Sequence, residues 1–187
     1  FSRRAAHQLH DRPLVLDDPF AVRTIGPEAE ETLRNAAYKE RRVYARVMRT
    51  FMAVRSRFAE DELARSLERG VRQYVLLLAG LDTFDYRDPH PSGLLRVFEV
   101  DHPATQAWKR GKLAKAGIAI PDSVTYAAMD FERQTLAEGL SAAGFDPTVP
   151  TFFTWLGVTM YLTSEAIDAT LAFVASMPKG SGIAFAY

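Results

Sequence analysis

The chain has 187 residues, 48% of them hydrophobic and 25% charged, with 23 basic and 23 acidic side chains. That length supports one domain with a sizeable core, and a net charge of zero supplies no global field toward nucleic acid or an anionic membrane. The lack of cysteine excludes disulfides, thiolate metal sites and cysteine nucleophiles, and agrees with an expected cytoplasmic location.

The first 72 residues read as helical. Ser2 to Leu9 fits a short helix. In Asp17-Asp18-Pro19-Phe20 an acid precedes a first-turn proline, which is a helix start. Helix formers dominate from Pro27 to Gly70, where Leu63, Leu67 and Val71 fall at i, i+4 and i+8 and Gly70 supplies a stop. The basic residues Lys39, Arg41, Arg42, Arg46, Arg49, Arg55 and Arg57 spread around several helix faces, with acids just upstream. They read as a solvated surface rather than a nucleic-acid footprint. Arg55 stands apart, because it lies where the helical segment meets the rest of the chain and can offer a bidentate contact to a carboxylate.

Beyond residue 72, strands and helices alternate. Strands are expected at 74–78, 95–100, 123–128 and 151–157, and from Gly182 onward. Between them lie a helix after Pro103, one carrying Leu136, Leu140 and Ala143, and one carrying Ile167, Leu171 and Val174. This alternation predicts a doubly wound, mostly parallel α/β sheet with right-handed crossovers. Residues 1–72 then form a helical cap and 73–187 a Rossmann-like core, within one structural domain.

Ligands in such sheets sit at the carboxyl ends of the strands, near the switch point. That rule brings Gly80, Asp101, Asp130 and Gly157 to one rim. Each alone has a plain structural reading as a turn glycine or as an acid at a helix start. Together they outline a nucleoside site: a glycine where the backbone nears a ligand, and an acid about 20 residues on that accepts from ribose hydroxyls. Only Gly80 follows the first strand, so no glycine-rich cradle for a pyrophosphate exists, and the phosphate-binding Gly-x4-Gly-Lys-Ser/Thr pattern is absent. S-adenosylmethionine, an adenosyl cofactor without pyrophosphate, fits better than a nicotinamide dinucleotide. No Gly-x-Ser-x-Gly elbow occurs, and the four histidines, His7, His10, His90 and His102, lack metal-site spacing, so no metal is expected. Trp155, late in its strand, and Tyr161, just after it, are candidates to meet a substrate at the same rim. No apolar run reaches the roughly 20 residues that span a bilayer.

Several ordered motifs carry a resemblance that covers essentially the whole chain. They are Asp18-Pro19-Phe20-Ala21, Arg55-Ser56-Arg57-Phe58, Ala79-Gly80-Leu81-Asp82-Thr83 with Tyr86-Arg87, Phe98-Glu99-Val100-Asp101-His102-Pro103, Met129-Asp130-Phe131 and Leu156-Gly157-Val158-Thr159-Met160-Tyr161-Leu162-Thr163. The chain resembles the leucine carboxyl methyltransferase-like family of class I S-adenosylmethionine-dependent methyltransferases, most of all its bacterial branch. The resemblance implies a role for each matching position. Arg55 would pair with the carboxylate of the cofactor's methionine part, and Ala79 and Gly80 would line its floor. Asp101 would hold the ribose hydroxyls, Asp130 would accept from the adenine amino group, and Phe131 would give a backbone contact or packing. The implied reaction is O-methylation of a small-molecule carboxylate or hydroxyl, with neither nucleic acid nor membrane as partner. The alternatives are a cofactor-binding protein without turnover and, less favoured, a nicotinamide-dependent oxidoreductase.

Three positions depart from the family pattern. Leu78 stands where the first glycine of Gly-Ala-Gly is usual. Asp85 stands where a small residue is usual, and Leu156 where some relatives carry glutamate, so the chain resembles the subgroup that does not. The family continues past the equivalent of Tyr187 through two more strands, so an incomplete sheet with an exposed edge is expected.

Overall fold

The computed structural model describes residues 2–35, 42–87, 94–131 and 133–186. Four helices come first: α1 (Ser2–His10), α2 (Pro19–Ile25), α3 (Pro27–Asn35) and α4 (Val43–Glu68). The alternating half follows as β1 (Gln73–Leu77), β2 (Arg96–Asp101), α5 (Pro103–Lys115), β3 (Val124–Ala128), α6 (Leu136–Ala142), β4 (Thr151–Leu156), α7 (Ser164–Ala175) and β5 (Gly182–Ala186). The strands pair in the order β3-β2-β1-β4-β5, every pair parallel, which is the doubly wound sheet expected. The order reverses between β1 and β4, so the ligand crevice belongs at their carboxyl ends.

Local chemistry sets the helix starts. The Asp18 carboxylate accepts the Ala21 N–H with Pro19 at the first helical position, and His102 does the same for Ala104 ahead of Pro103. Thr135 and Glu138 form a reciprocal capping box at α6, and Thr163 caps α7. α4 ends at Glu68, earlier than the Leu63-Leu67-Val71 spacing implied. Gly70 takes a φ of +98° and turns the chain, so Val71 lies outside the helix yet stays buried in the cluster that holds Leu63.

Strand alternation divides the core into two faces. Phe98, Val100, Phe153 and Trp155 pack on one side with Leu136, Leu140 and Val174 of α6 and α7. Tyr74, Leu76 and Phe152 pack on the other with Ala59 and Leu63 of α4. The far half of α4 is therefore a layer helix of the sheet, and the same helix carries Arg55 to the strand rim. α1 is fastened across α4 by Asp11, whose two carboxylate oxygens accept from Arg49 at 2.8 and 3.1 Å while His7 Nδ1 lies 2.9 Å from one of them. Arg49 is thus buried and paired, unlike the solvated surface expected for the basic stretch; Lys39 and Arg41 of that stretch lie outside the described residues.

Candidate cofactor site at the β1–β4 crossover

A cavity of ≈ 280 Å³ opens where the sheet order reverses. The turn after β1 (Leu78 to Asp82) and the end of β4 with its turn (Leu156, Gly157, Val158) form one wall. Met52, Arg55 and Ser56 of α4 and Arg3 and Arg4 of α1 form the other. Its lining therefore mixes the guanidinium groups of Arg3, Arg4 and Arg55 with the polar Ser56, Asp82 and Thr154 and with apolar residues of the strand ends.

Arg55 is the key cation. Its Nε is buried and has no hydrogen-bond partner, and its guanidinium stacks 5.6 Å from the Phe51 ring centroid. Burial lowers its pKa first and repulsion from Arg4 second, with Asp82 opposing both. A guanidinium stays charged under such shifts, so a buried donor here calls for an anion. Gly157, at a φ of +70°, makes room for it: a Cβ at that position would overlap the Arg55 guanidinium and lie 2.8 Å from its Cζ. The glycine after β4 thus supports the cation, a link between two motifs that neither shows alone.

Arg4 is held more tightly. It donates to Asp82 at 2.7 Å, lies 3.0 Å from the buried Asp18 carboxylate, and its Nε also has no partner. Thr83 donates to Asp18 at 2.7 Å, which completes a buried knot that joins α1, the start of α2 and the turn after β1. Arg4 and Lys109, opposing burial, hold the Asp82 carboxyl at about 2. Arg3, Arg4 and Asp82 carried no site role in the sequence reading. Asp82-Thr83 was visible there as a motif, but nothing in the spacing brings Arg4 to it across 78 residues.

Among the residues expected in the site, Arg55, Ala79 and Gly80 meet at this cavity. Asp101 ends β2 beside it. Its Oδ2 accepts the Gly80 N–H at 2.7 Å and its Oδ1 the His102 N–H at 2.7 Å, which leaves each oxygen a free lone pair. Asp130 follows β3, half-buried, 3.4 Å from the exposed Arg133 guanidinium, and Phe131 packs on the α6–α7 core. Gly157, Leu78 to Gly80, Asp101 and Asp130 thus follow β4, β1, β2 and β3 in spatial order. Three interstrand steps put about 14 Å between the ends of that row.

Trp155 does not reach the cavity. It is 1% exposed and faces the α6–α7 core, because alternation turns Thr154 and Leu156 toward the cavity and Trp155 away. Tyr161 sits on a short 3₁₀ turn (Thr159–Tyr161) past β4, 82% exposed and outside the cavity wall. Leu156 lines the cavity as an apolar wall. Asp85 has a structural task, accepting from the Ser123 hydroxyl at 2.8 Å. Among the described residues, no cluster of three or more His, Asp or Glu side chains could hold a metal, and no helix is long and apolar enough to cross a membrane.

Leu78 carries a backbone signal that its sequence position foreshadowed. It has a φ of +54°, alone among described non-glycine residues in being positive. The position where the resemblance implies glycine is therefore in a conformation that glycine adopts most freely.

A family model described as leucine carboxyl methyltransferase matches residues 2–175. The chain belongs to the leucine carboxyl methyltransferase family. It is 35% identical over 205 aligned positions, 98% of its own length, to YktD of Bacillus subtilis (strain 168), a protein named provisionally as an S-adenosyl-L-methionine-dependent methyltransferase. A similarly named protein of Parafrankia sp. (strain EAN1pec) is 41% identical over 70% of this chain. The chain spans 67% of the first relative's length and 41% of the second's. A solved structure described as an O-methyltransferase family protein from Burkholderia thailandensis matches 68% of this chain and 39% of its own at 12% identity, with a TM-score of 0.42.

Proposed function

We propose that this member of the leucine carboxyl methyltransferase family binds S-adenosylmethionine at the β1–β4 crossover and methylates a carboxylate or hydroxyl oxygen of a small molecule. The observation that carries the reading is the buried, unpartnered Nε of Arg55 in a cavity at the switch point. The donor set fits the cofactor. Arg55 would take the methionine carboxylate, and the Ala79-Gly80 backbone would floor the amino-acid end. Asp101 would use its remaining lone pairs on the ribose hydroxyls. Asp130 would accept from the adenine amino group, with Phe131 packed beside it.

When bound, the cofactor supplies a methyl group on a sulfonium, already activated for transfer. The chain's own residues then bind, orient and exclude water, the work that proximity catalysis requires. A carboxylate acceptor is ionised at neutral pH and needs no base, whereas a hydroxyl acceptor does. The acceptor would enter over the rim past Tyr161, beneath a cap formed by the helices before residue 72. Trp155 has no part in that path, since it lies in the core.

Calorimetric titration tests the reading. Binding of S-adenosylhomocysteine with no heat from NAD is the expected result. Heat from NAD alone would move the reading to a nicotinamide enzyme, and heat from neither would leave the cavity without an adenosyl ligand.

A further inference from the structure

The turn after β1 holds a leucine in a conformation that disfavours it. A left-handed backbone is unfavourable for a residue with a Cβ, and such strain persists only where the surroundings fix the chain. Both flanks of Leu78 are fixed. Leu77 is in register with Val100 on β2, the Ala79 N–H donates to the Val100 carbonyl at 3.2 Å, and the Gly80 N–H donates to Asp101. Leu78 therefore cannot relax without undoing the contact that positions the ribose-side acid.

Core packing does not explain the residue. Its neighbours Leu76 and Leu77 belong to the two main clusters, whereas Leu78 belongs to none of the clusters among the described residues. It is half-buried, and it lines the cavity beside Leu156 and opposite Met52 and Arg55 of α4. The strained turn thus places a half-buried leucine, outside both core clusters, at the cavity that Arg55 also lines.

We infer that Leu78 is a specificity-determining residue that narrows the amino-acid end of this cavity and sets the affinity for the cofactor. The inference rests on the proposed cofactor site. A side chain in a ligand's place is worth at least the effect of one methylene in a pocket, about tenfold or more in binding. Leu78→Ala and Leu78→Gly separate space from strain, since alanine clears the cavity but keeps a Cβ at positive φ.

The test is calorimetric titration of wild type, Leu78→Ala and Leu78→Gly with S-adenosylhomocysteine, with thermal melts on the same samples. Both variants are expected to bind about tenfold tighter or more, and only the glycine variant is expected to melt higher than the alanine one. Wild type and both variants binding within twofold of one another would overturn the role of Leu78 and leave the cofactor site standing. Binding by none of the three, with folded melts for all, would overturn the cofactor site and this inference with it.

Discussion

Replacing Lys109 with methionine should destabilise the protein severely, by an amount that depends on pH. Lys109 Nζ donates to both carboxylate oxygens of Glu99 at 2.7 Å, and each residue is 1% exposed. The ammonium also lies 4.9 Å from the Tyr86 ring centroid, the Tyr86 hydroxyl meets Tyr126 at 2.7 Å, and Gln106 donates to the Glu99 carbonyl at 2.9 Å. The pair therefore ties β2, α5, β3 and the segment after the β1 turn together, two residues before Asp101. Burial raises the Glu99 pKa, and Lys109 opposes that rise. Removing the lysine leaves a buried carboxylate without its counter-ion, which costs about 3–5 kcal/mol. Replacing both partners with methionine removes the stranded charge and should leave stability within about 1–2 kcal/mol of wild type. Urea denaturation with an unchanged m-value measures both. In the single variant the folded-state pKa of Glu99 rises further above its unfolded value, so folding takes up a proton and lowering the pH from 8 to 5 should restore stability. A loss under 1 kcal/mol, or one that grows as the pH falls, would mean that Lys109 does not neutralise a buried Glu99 carboxylate.

Three further outcomes follow from the site. Gly157→Ala should abolish the Arg55 placement and weaken S-adenosylhomocysteine binding as much as Arg55→Ala does, because a Cβ there overlaps the guanidinium; titrating both variants checks it. Asp101→Ala should weaken the same ligand by about 1–3 kcal/mol, the usual cost of a lost polar partner, and an unchanged affinity would remove Asp101 from the ribose. Asp82, held at about 2 against an ordinary 3.8, contributes roughly 2 kcal/mol that is fully present above pH 4 and lost as the pH falls toward 2. Asp82→Asn should therefore lose about that much at pH 7, with the gap to wild type closing below pH 4 in urea melts.

The parallel sheet and its rim were legible because each of the first four strands runs into a glycine or an acid, and each crossover helix starts at a cap. Asp18-Pro19 and His102-Pro103 marked their helix starts to the residue. Gly80 followed from the same rule of strand ends, Arg55 from its place where the helical segment meets the alternating half, and Ala79 from the family resemblance. Trp155 did not, because only the register of β4 against its neighbours decides which of two adjacent residues faces the cavity. Arg4 and Arg49 escaped for another reason. Their partners, Asp82 with Asp18 and Asp11, are distant in sequence, and local pattern cannot tell a paired guanidinium from a solvated one. Leu78 was visible as an odd residue, but its positive φ belongs to the folded turn.

Whether Arg55 holds a carboxylate at the β1–β4 crossover is tested by comparing two ligands on two proteins. Wild type and Arg55→Met are titrated with S-adenosylhomocysteine and with its decarboxylated analogue. Arg55→Met should lose affinity for S-adenosylhomocysteine by tenfold or more, about the 1.4 kcal/mol of one charge-assisted contact, and bind the analogue as wild type does. Equal losses for the two ligands, or no loss for either, would contradict that role for Arg55.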